Sequence, residues 1–110
     1  MVTLEVDSAP SLELVLDTGT AFSVLRDSLR RSLQELGVLT ETSSRPFGRP
    51  IYRLQGLSIE GQDVPDVDFV VSNHPALLDI DGMLGLNFLA LFSLVQFDTD
   101  TRRVTLTRRA

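Results

Sequence analysis

The sequence predicts an all-β domain, a small closed barrel carrying one main α-helix and a short second helix near its C-terminus. Three observations point there. Short apolar runs alternate with polar residues at the strand period of two, with turn residues between them. A single longer segment switches to helical spacing. The chain has 110 residues, 43% of them hydrophobic and 23% charged, which suits one globular core and is too short for two. Residues 1–110 therefore read as one domain, and many short strands with little helix favour a barrel-like arrangement.

Taken in order, Val2-Thr3-Leu4-Glu5-Val6 alternates as a strand, and Leu12, Leu14 and Leu16 repeat the pattern around Glu13. Phe22 to Leu25 is a short apolar run. Leu25, Leu29, Leu33 and Leu36 then recur at helical spacing, which predicts a helix over Arg26 to Leu36. Asp27 precedes Arg30 and Arg31 by one turn, a favourable pairing on a helix surface. Gly37 suits the C-terminal cap. Thr40 to Pro50 is the loosest stretch. Two strands, Pro50 to Ile59 and Val64 to Val71, flank Glu60-Gly61-Gln62-Asp63, which has hairpin chemistry. On the second of them Val67, Phe69 and Val71 share one face and Asp66 and Asp68 the other. Asn87 to Leu91 predicts the short helix. Phe92 to Phe97 and Arg103 to Thr107 form a closing pair around the turn Asp98-Thr99-Asp100-Thr101.

Composition excludes several functions. Without cysteine there are no disulfides, no thiol catalysis and no cysteine zinc site. With His74 as the single histidine, a multi-histidine metal site is excluded, and no metal and no cofactor are expected. The net charge is -5 and every basic residue is arginine, a poor basis for binding nucleic acid. The most apolar stretch, Met83 to Val95, is shorter than the roughly 20 residues that span a bilayer, so no membrane insertion is expected. The start lacks the basic and apolar regions of a signal peptide, which favours a cytoplasmic location. Opening directly on a strand is what a domain excised from a longer protein would also show.

One motif carries chemistry. Asp17-Thr18-Gly19 follows Leu14-Val15-Leu16, an apolar strand end that is expected to deliver the aspartate into a buried position. Gly19 allows a tight turn. A carboxylate held there can accept hydrogen bonds from nearby backbone N–H groups.

Here the chain resembles the retropepsin-like aspartic proteases, in their bacterial and cellular branch. The resemblance rests on Leu14-Val15-Leu16-Asp17-Thr18-Gly19-Thr20-Ala21, similar to the family's catalytic loop, and on Asp81-Gly82-Met83-Leu84-Gly85-Leu86-Asn87-Phe88-Leu89, similar to its second element. It implies the acid protease fold. It also implies that Asp17 is the catalytic aspartate and that Thr18 braces its loop against a second copy. Gly19 would permit close backbone approach. Thr20 belongs to the same supporting loop, at a place where alanine is more usual. Met83, Leu84 and Gly85 would pass beneath that loop and support it. A hairpin flap would lie within Thr42 to Arg53, built on Arg45, Pro46, Phe47, Gly48 and Arg49, with its tip near Phe47-Gly48.

The chain departs from viral members at two linked places. They carry an acidic residue two positions after the motif glycine, paired with an arginine just after the second glycine. Ala21 and Leu86 stand there in this chain, which reads as an ion pair replaced by packing. Gly48 is alone between Gly37 and Gly56, which suggests a stiffer or shorter flap.

Peptide hydrolysis by this route needs two carboxyl groups, one taking a proton from water and one donating to the substrate carbonyl. The sequence has one Asp-Thr-Gly and no Asp-Ser-Gly. The expected unit is therefore a homodimer acting on a peptide or protein substrate, an aspartic endopeptidase. The alternative is a non-catalytic retropepsin-like module for dimerisation or peptide binding.

Other residues read more plainly. Asp81-Gly82 is a turn, since its surroundings lack the ligand spacing of a calcium loop. His74 beside Pro75 is a surface loop residue, and no Gly-x-Ser-x-Gly elbow accompanies it. Arg45, Arg49 and Arg53 are read as solvated charges rather than as the rim of a cleft.

Overall fold

A computed structural model describes residues 2–43, 45, 48–74, 79–98, 100–101 and 103–108. The chain runs β1 (Val2–Val6), β2 (Leu12–Leu16), β3 (Ser23–Arg26), α1 (Asp27–Glu35), β4 (Leu39–Glu41), β5 (Tyr52–Leu54), β6 (Leu57–Ile59), β7 (Gln62–Val64), β8 (Val67–Ser72), β9 (Gly82–Leu84), α2 (Leu86–Leu89), β10 (Phe92–Asp98) and β11 (Arg103–Arg108). Among the described residues, nine strands form one sheet in the order β4-β5-β8-β3-β9-β2-β1-β6-β7. That sheet curls into a half-barrel. The all-β class with one main and one short helix is therefore as expected.

Strand alternation fills the interior. Leu4, Leu14, Leu25, Leu54, Phe69, Leu84 and Phe88 are fully buried. They come from six neighbouring strands and α2, so one core links both halves of the sheet.

Helix α1 ends as its sequence dictates. Gly37 adopts φ +78, its N–H donates to the Gln34 carbonyl, and the Val38 N–H donates to the Leu33 carbonyl. This pair of bonds satisfies the helix end and returns the chain to the core through buried Val38. The apolar stripe is shorter than the spacing implies. Leu25 belongs to β3, and Leu36, at the cap, is 45% exposed. Asp27 pairs with Arg30 at 3.3 Å, as the spacing suggests.

The strand expected over Pro50 to Ile59 is in fact two. Gly56 takes φ +73 and breaks it. Before the break, β5 pairs with β4 and β8; after it, β6 pairs with β1 and β7. The following hairpin is tighter than expected. Glu60 and Gly61 both have positive φ and form a two-residue turn, so Gln62 and Asp63 join β7.

The β10–β11 hairpin forms a separate two-stranded sheet. It is attached through α2, where the Phe88 and Phe92 rings meet edge to face at 5.0 Å. At its turn the Asp98 carboxylate accepts N–H bonds from Thr101 and Asp100, which hold its pKa below the usual range. No helix among the described residues is long and apolar enough to cross a membrane.

Candidate active site

Residues 17–22 join β2 to β3 by passing around the end of β9, which lies between those two strands. β9 runs parallel to β2, with Val15 opposite Met83, and antiparallel to β3, with Val24 opposite Met83. The loop is tied to the strand end by three backbone bonds. Asp17 N–H donates to the Leu84 carbonyl at 2.9 Å, Leu86 N–H to the Thr20 carbonyl at 2.8 Å, and Asn87 N–H to the Ala21 carbonyl at 3.2 Å.

Asp17 is half-buried, while Thr18 and Gly19 are exposed beside it. Its carboxylate has two fixed donors. The Gly19 N–H reaches Oδ1 at 2.8 Å, and the Thr20 hydroxyl reaches Oδ2 at 2.9 Å. Both side-chain torsions of Asp17 are thereby held, and the carboxyl is presented at an open surface. The Thr20 contact gives a purpose to a residue whose sequence position said little.

The second element supports this loop in two different ways. Leu84 is buried and supplies the carbonyl under Asp17. Gly85 supplies space: a Cβ there would stand 2.5 Å from the Thr20 carbonyl oxygen. Met83 faces away from the core. With Val15 and Val24, and with Val70 opposite Val24 on β8, it makes a half-buried apolar row across four strands. Strand alternation carried one residue past β2 puts Asp17 on the same face as Val15.

A buried polar knot was missed in the sequence. The Asn87 side-chain oxygen accepts from the Ser23 N–H at 2.7 Å and from the Ser23 hydroxyl at 2.8 Å. The same hydroxyl accepts the Gly85 N–H at 3.0 Å. The Asn87 amide donates to the Asp68 carbonyl at 2.9 Å. Ser23 is fully buried. A serine inside the apolar run Phe22 to Leu25 was the available signal. Ser23→Ala strands the Gly85 N–H, and a loss of about 1–3 kcal/mol is expected, read as a lower urea midpoint. Ser23→Thr keeps the hydroxyl and should restore most of it; an unchanged midpoint for Ser23→Ala would mean the knot is idle.

The far end of β9 is anchored by Asp81, which is more than a turn residue. Its Oδ2 accepts the Glu13 N–H at 2.8 Å and its Oδ1 pairs with Arg26 at 3.2 Å. Among the described residues no cluster of three or more acidic, histidine or cysteine side chains is arranged to hold a metal ion.

Ala21 and Leu86 do not form the packed replacement that the sequence suggested. Both are exposed, Leu86 by 48%. The backbone bonds that lock the loop turn both side chains outward.

Of the expected flap, Pro46 and Phe47 lie outside the described residues. On either side of that stretch β4 and β5 pair as a hairpin, and Thr42 N–H donates to the Ile51 carbonyl. Gly48 takes φ +73 and donates its N–H to the Arg45 carbonyl. Arg53 belongs to the sheet rather than to the excursion. It faces Asp68 across β5 and β8 and makes a two-pronged ion pair at 2.9 and 3.2 Å, which raises its pKa. Arg49 donates to the Val71 carbonyl at 2.6 Å, and Arg45 lies 3.9 Å from Glu41. All three arginines are exposed, as expected of solvated charges; Arg49 and Arg53 in addition tie the hairpin to β8, whereas the Arg45 contact lies within the hairpin.

A solved structure of a retropepsin-like aspartic protease from Rickettsia conorii superposes on the chain with a TM-score of 0.60. The match covers 88% of this chain and 74% of that one, at 21% identity. The fold is retropepsin-like. No protein-family model and no curated protein sequence matches the chain. Within the retropepsin-like fold, the loop carrying Asp17 is bonded to the end of β9.

Proposed function

We propose that the chain is an aspartic endopeptidase whose working unit is a homodimer, with two Asp17 carboxyls meeting at the two-fold axis. The observation that carries this reading is the Asp17 carboxylate itself. It is presented by a strand end, held by the Gly19 N–H and the Thr20 hydroxyl, and flanked by exposed Thr18 and Gly19. A single chain supplies one such carboxyl, and the chemistry needs two.

In the proposed reaction a water molecule sits between the carboxyls, which share one proton because two charges that close cannot both persist. The ionised carboxyl takes a proton from the water as its oxygen attacks the peptide carbonyl carbon. The protonated carboxyl gives its proton to the carbonyl oxygen, forming a neutral gem-diol. Proton transfer to the amide nitrogen then lets the C–N bond break. The apolar row Val15, Met83, Val24 and Val70 would seat substrate side chains, which favours peptides with apolar residues near the cleaved bond. The hairpin legs around residues 42–51 would carry the flap.

Concentration dependence tests the pairing. Below the dimer dissociation constant the cleavage rate of a peptide library should rise with the square of chain concentration, and a statine-type mimic of the gem-diol should inhibit it. A rate strictly proportional to concentration from a chain that sediments as a monomer would rule out a shared dyad. A confirmed dimer that binds peptides and cleaves none would favour the non-catalytic module.

A further inference from the structure

Arg49 makes a bond that no strand ladder requires. Strand β5 covers β8 only as far as Phe69, which lies opposite Tyr52. Beyond it, among the described residues, Val70, Val71 and Ser72 have β3 on one side and no strand on the other. The Val71 carbonyl stands where a neighbouring strand would supply an N–H, and Arg49 Nη2 donates to it there at 2.6 Å. Arg49 and Arg53 thus fasten the same hairpin to the same strand in different ways. Arg53 grips the Asp68 carboxylate with two prongs, at 2.9 and 3.2 Å, inside the β5–β8 pairing. Arg49 holds a neutral carbonyl with one prong, outside that pairing. Its bond can open without separating two strands.

From this we infer, resting on the endopeptidase reading in which the apolar row seats substrate, that Arg49 is a positioning residue for the peptide. Its bond sets residues 48–51 against β8 at the end of the row Val15, Met83, Val24 and Val70. Val70 lies opposite Val24, and Val71, which Arg49 holds, directly follows it. The residues that Arg49 fastens are themselves tied across the hairpin. The Ile51 carbonyl accepts the Thr42 N–H, and the Gly48 N–H donates to the Arg45 carbonyl. One side-chain bond therefore fixes both sides of the hairpin beside the row. With that bond made, the wall is ordered before a peptide arrives. Without it, each peptide must order the wall as it binds, and the cost comes out of its affinity. The chemistry at Asp17 is untouched. Arginine keeps its charge and a backbone carbonyl has no proton to lose, so the effect is the same at every pH at which the enzyme works.

Arg49→Met keeps an unbranched stem and removes the donor, at an exposed position where folding should not suffer. For an extended peptide it should raise KM by about tenfold while kcat stays within about twofold of wild type. The pH–rate profile should keep its shape. Arg49→Lys keeps a charged donor on a flexible stem and should recover most of the loss. A change that merely unfolded part of the population would lower the apparent kcat and leave KM alone. Hydrogen exchange adds a readout that needs no activity. In Arg49→Met the Thr42 amide should exchange several-fold faster, while the amides of β1 and β2 keep their wild-type rates. Wild-type KM in Arg49→Met overturns the inference, whether or not exchange has quickened, and leaves the dyad standing. A raised KM with wild-type exchange at Thr42 overturns the fastening of the hairpin as its cause. A wild-type chain that cleaves no peptide at any concentration brings down the endopeptidase reading itself, and the role of Arg49 with it.

Discussion

Asp17→Asn is expected to abolish peptide cleavage, by roughly a thousandfold or more, while leaving the fold and the pairing of chains intact. The expectation of an intact fold comes from the bonds around the residue. The asparagine side-chain oxygen can still accept the Gly19 N–H, which Asp17 Oδ1 accepts at 2.8 Å. Its amide can donate to the Thr20 oxygen, which now donates to Oδ2 at 2.9 Å. A hydroxyl both donates and accepts, so that bond survives with its sense reversed. Only the exchangeable proton and the charge are lost. Asp17→Ala would remove both loop bonds and confuse structure with chemistry. Mixing gives a sharper readout. When an equal amount of Asp17→Asn chain is added to wild-type chain and subunits exchange, about half of the original wild-type pairs remain. Activity should fall to about that level. A single-chain mechanism would leave the rate untouched by the added variant. The pH–rate profile of the wild type should describe the pair of carboxyls rather than one residue.

Much of this architecture was legible because it is written in short-range pattern. Alternation marks Leu12, Leu14 and Leu16, and Gly37 marks where α1 stops. The Asp17 loop was legible for the same reason, an apolar strand end running into a turn. What was hidden depends on distant partners. Ser23 and Asn87 are 64 positions apart, and neither announces the other. The split of the long strand at Gly56 reflects a change of partner, from β8 to β1, that no local period contains. Leu86 misled for the opposite reason. An apolar residue in an apolar stretch is read as core, yet the bonds that pin Thr20 and Ala21 to α2 turn its side chain outward. The family resemblance located the loop, and the geometry assigned Thr20, Ser23 and Asn87 their contacts.

Among the seven glycines, Gly82→Ala should be the most damaging substitution by alanine. Gly82 is the first residue of β9, opposite Leu14 on one side and Leu25 on the other. A Cβ built there would stand 2.1 Å from the Val24 carbonyl oxygen and 3.1 Å from Leu14 Cδ2. The oxygen is backbone, fixed in the sheet, and cannot rotate away as a side chain would. Relief requires β9 to separate from β3, and the buried Leu25 and Leu84 contacts go with it. A loss of roughly 3 kcal/mol or more is expected, a large share of the total stability of a domain of this size. The comparison that isolates the cause is Gly61→Ala. Gly61 has φ +79 and nothing within 4 Å of its would-be Cβ, so that change costs about 1–2 kcal/mol of left-handed backbone strain and no collision. Gly85→Ala sits between them in kind, because its Cβ would press on the Thr20 carbonyl at 2.5 Å. That collision displaces the loop holding Asp17, so activity should fall further than the urea midpoint. The ordering in urea titrations should be Gly82→Ala far below Gly61→Ala. If the two fall together, crowding around β9 is not what keeps glycine at position 82, and the support of the Asp17 loop must be sought elsewhere.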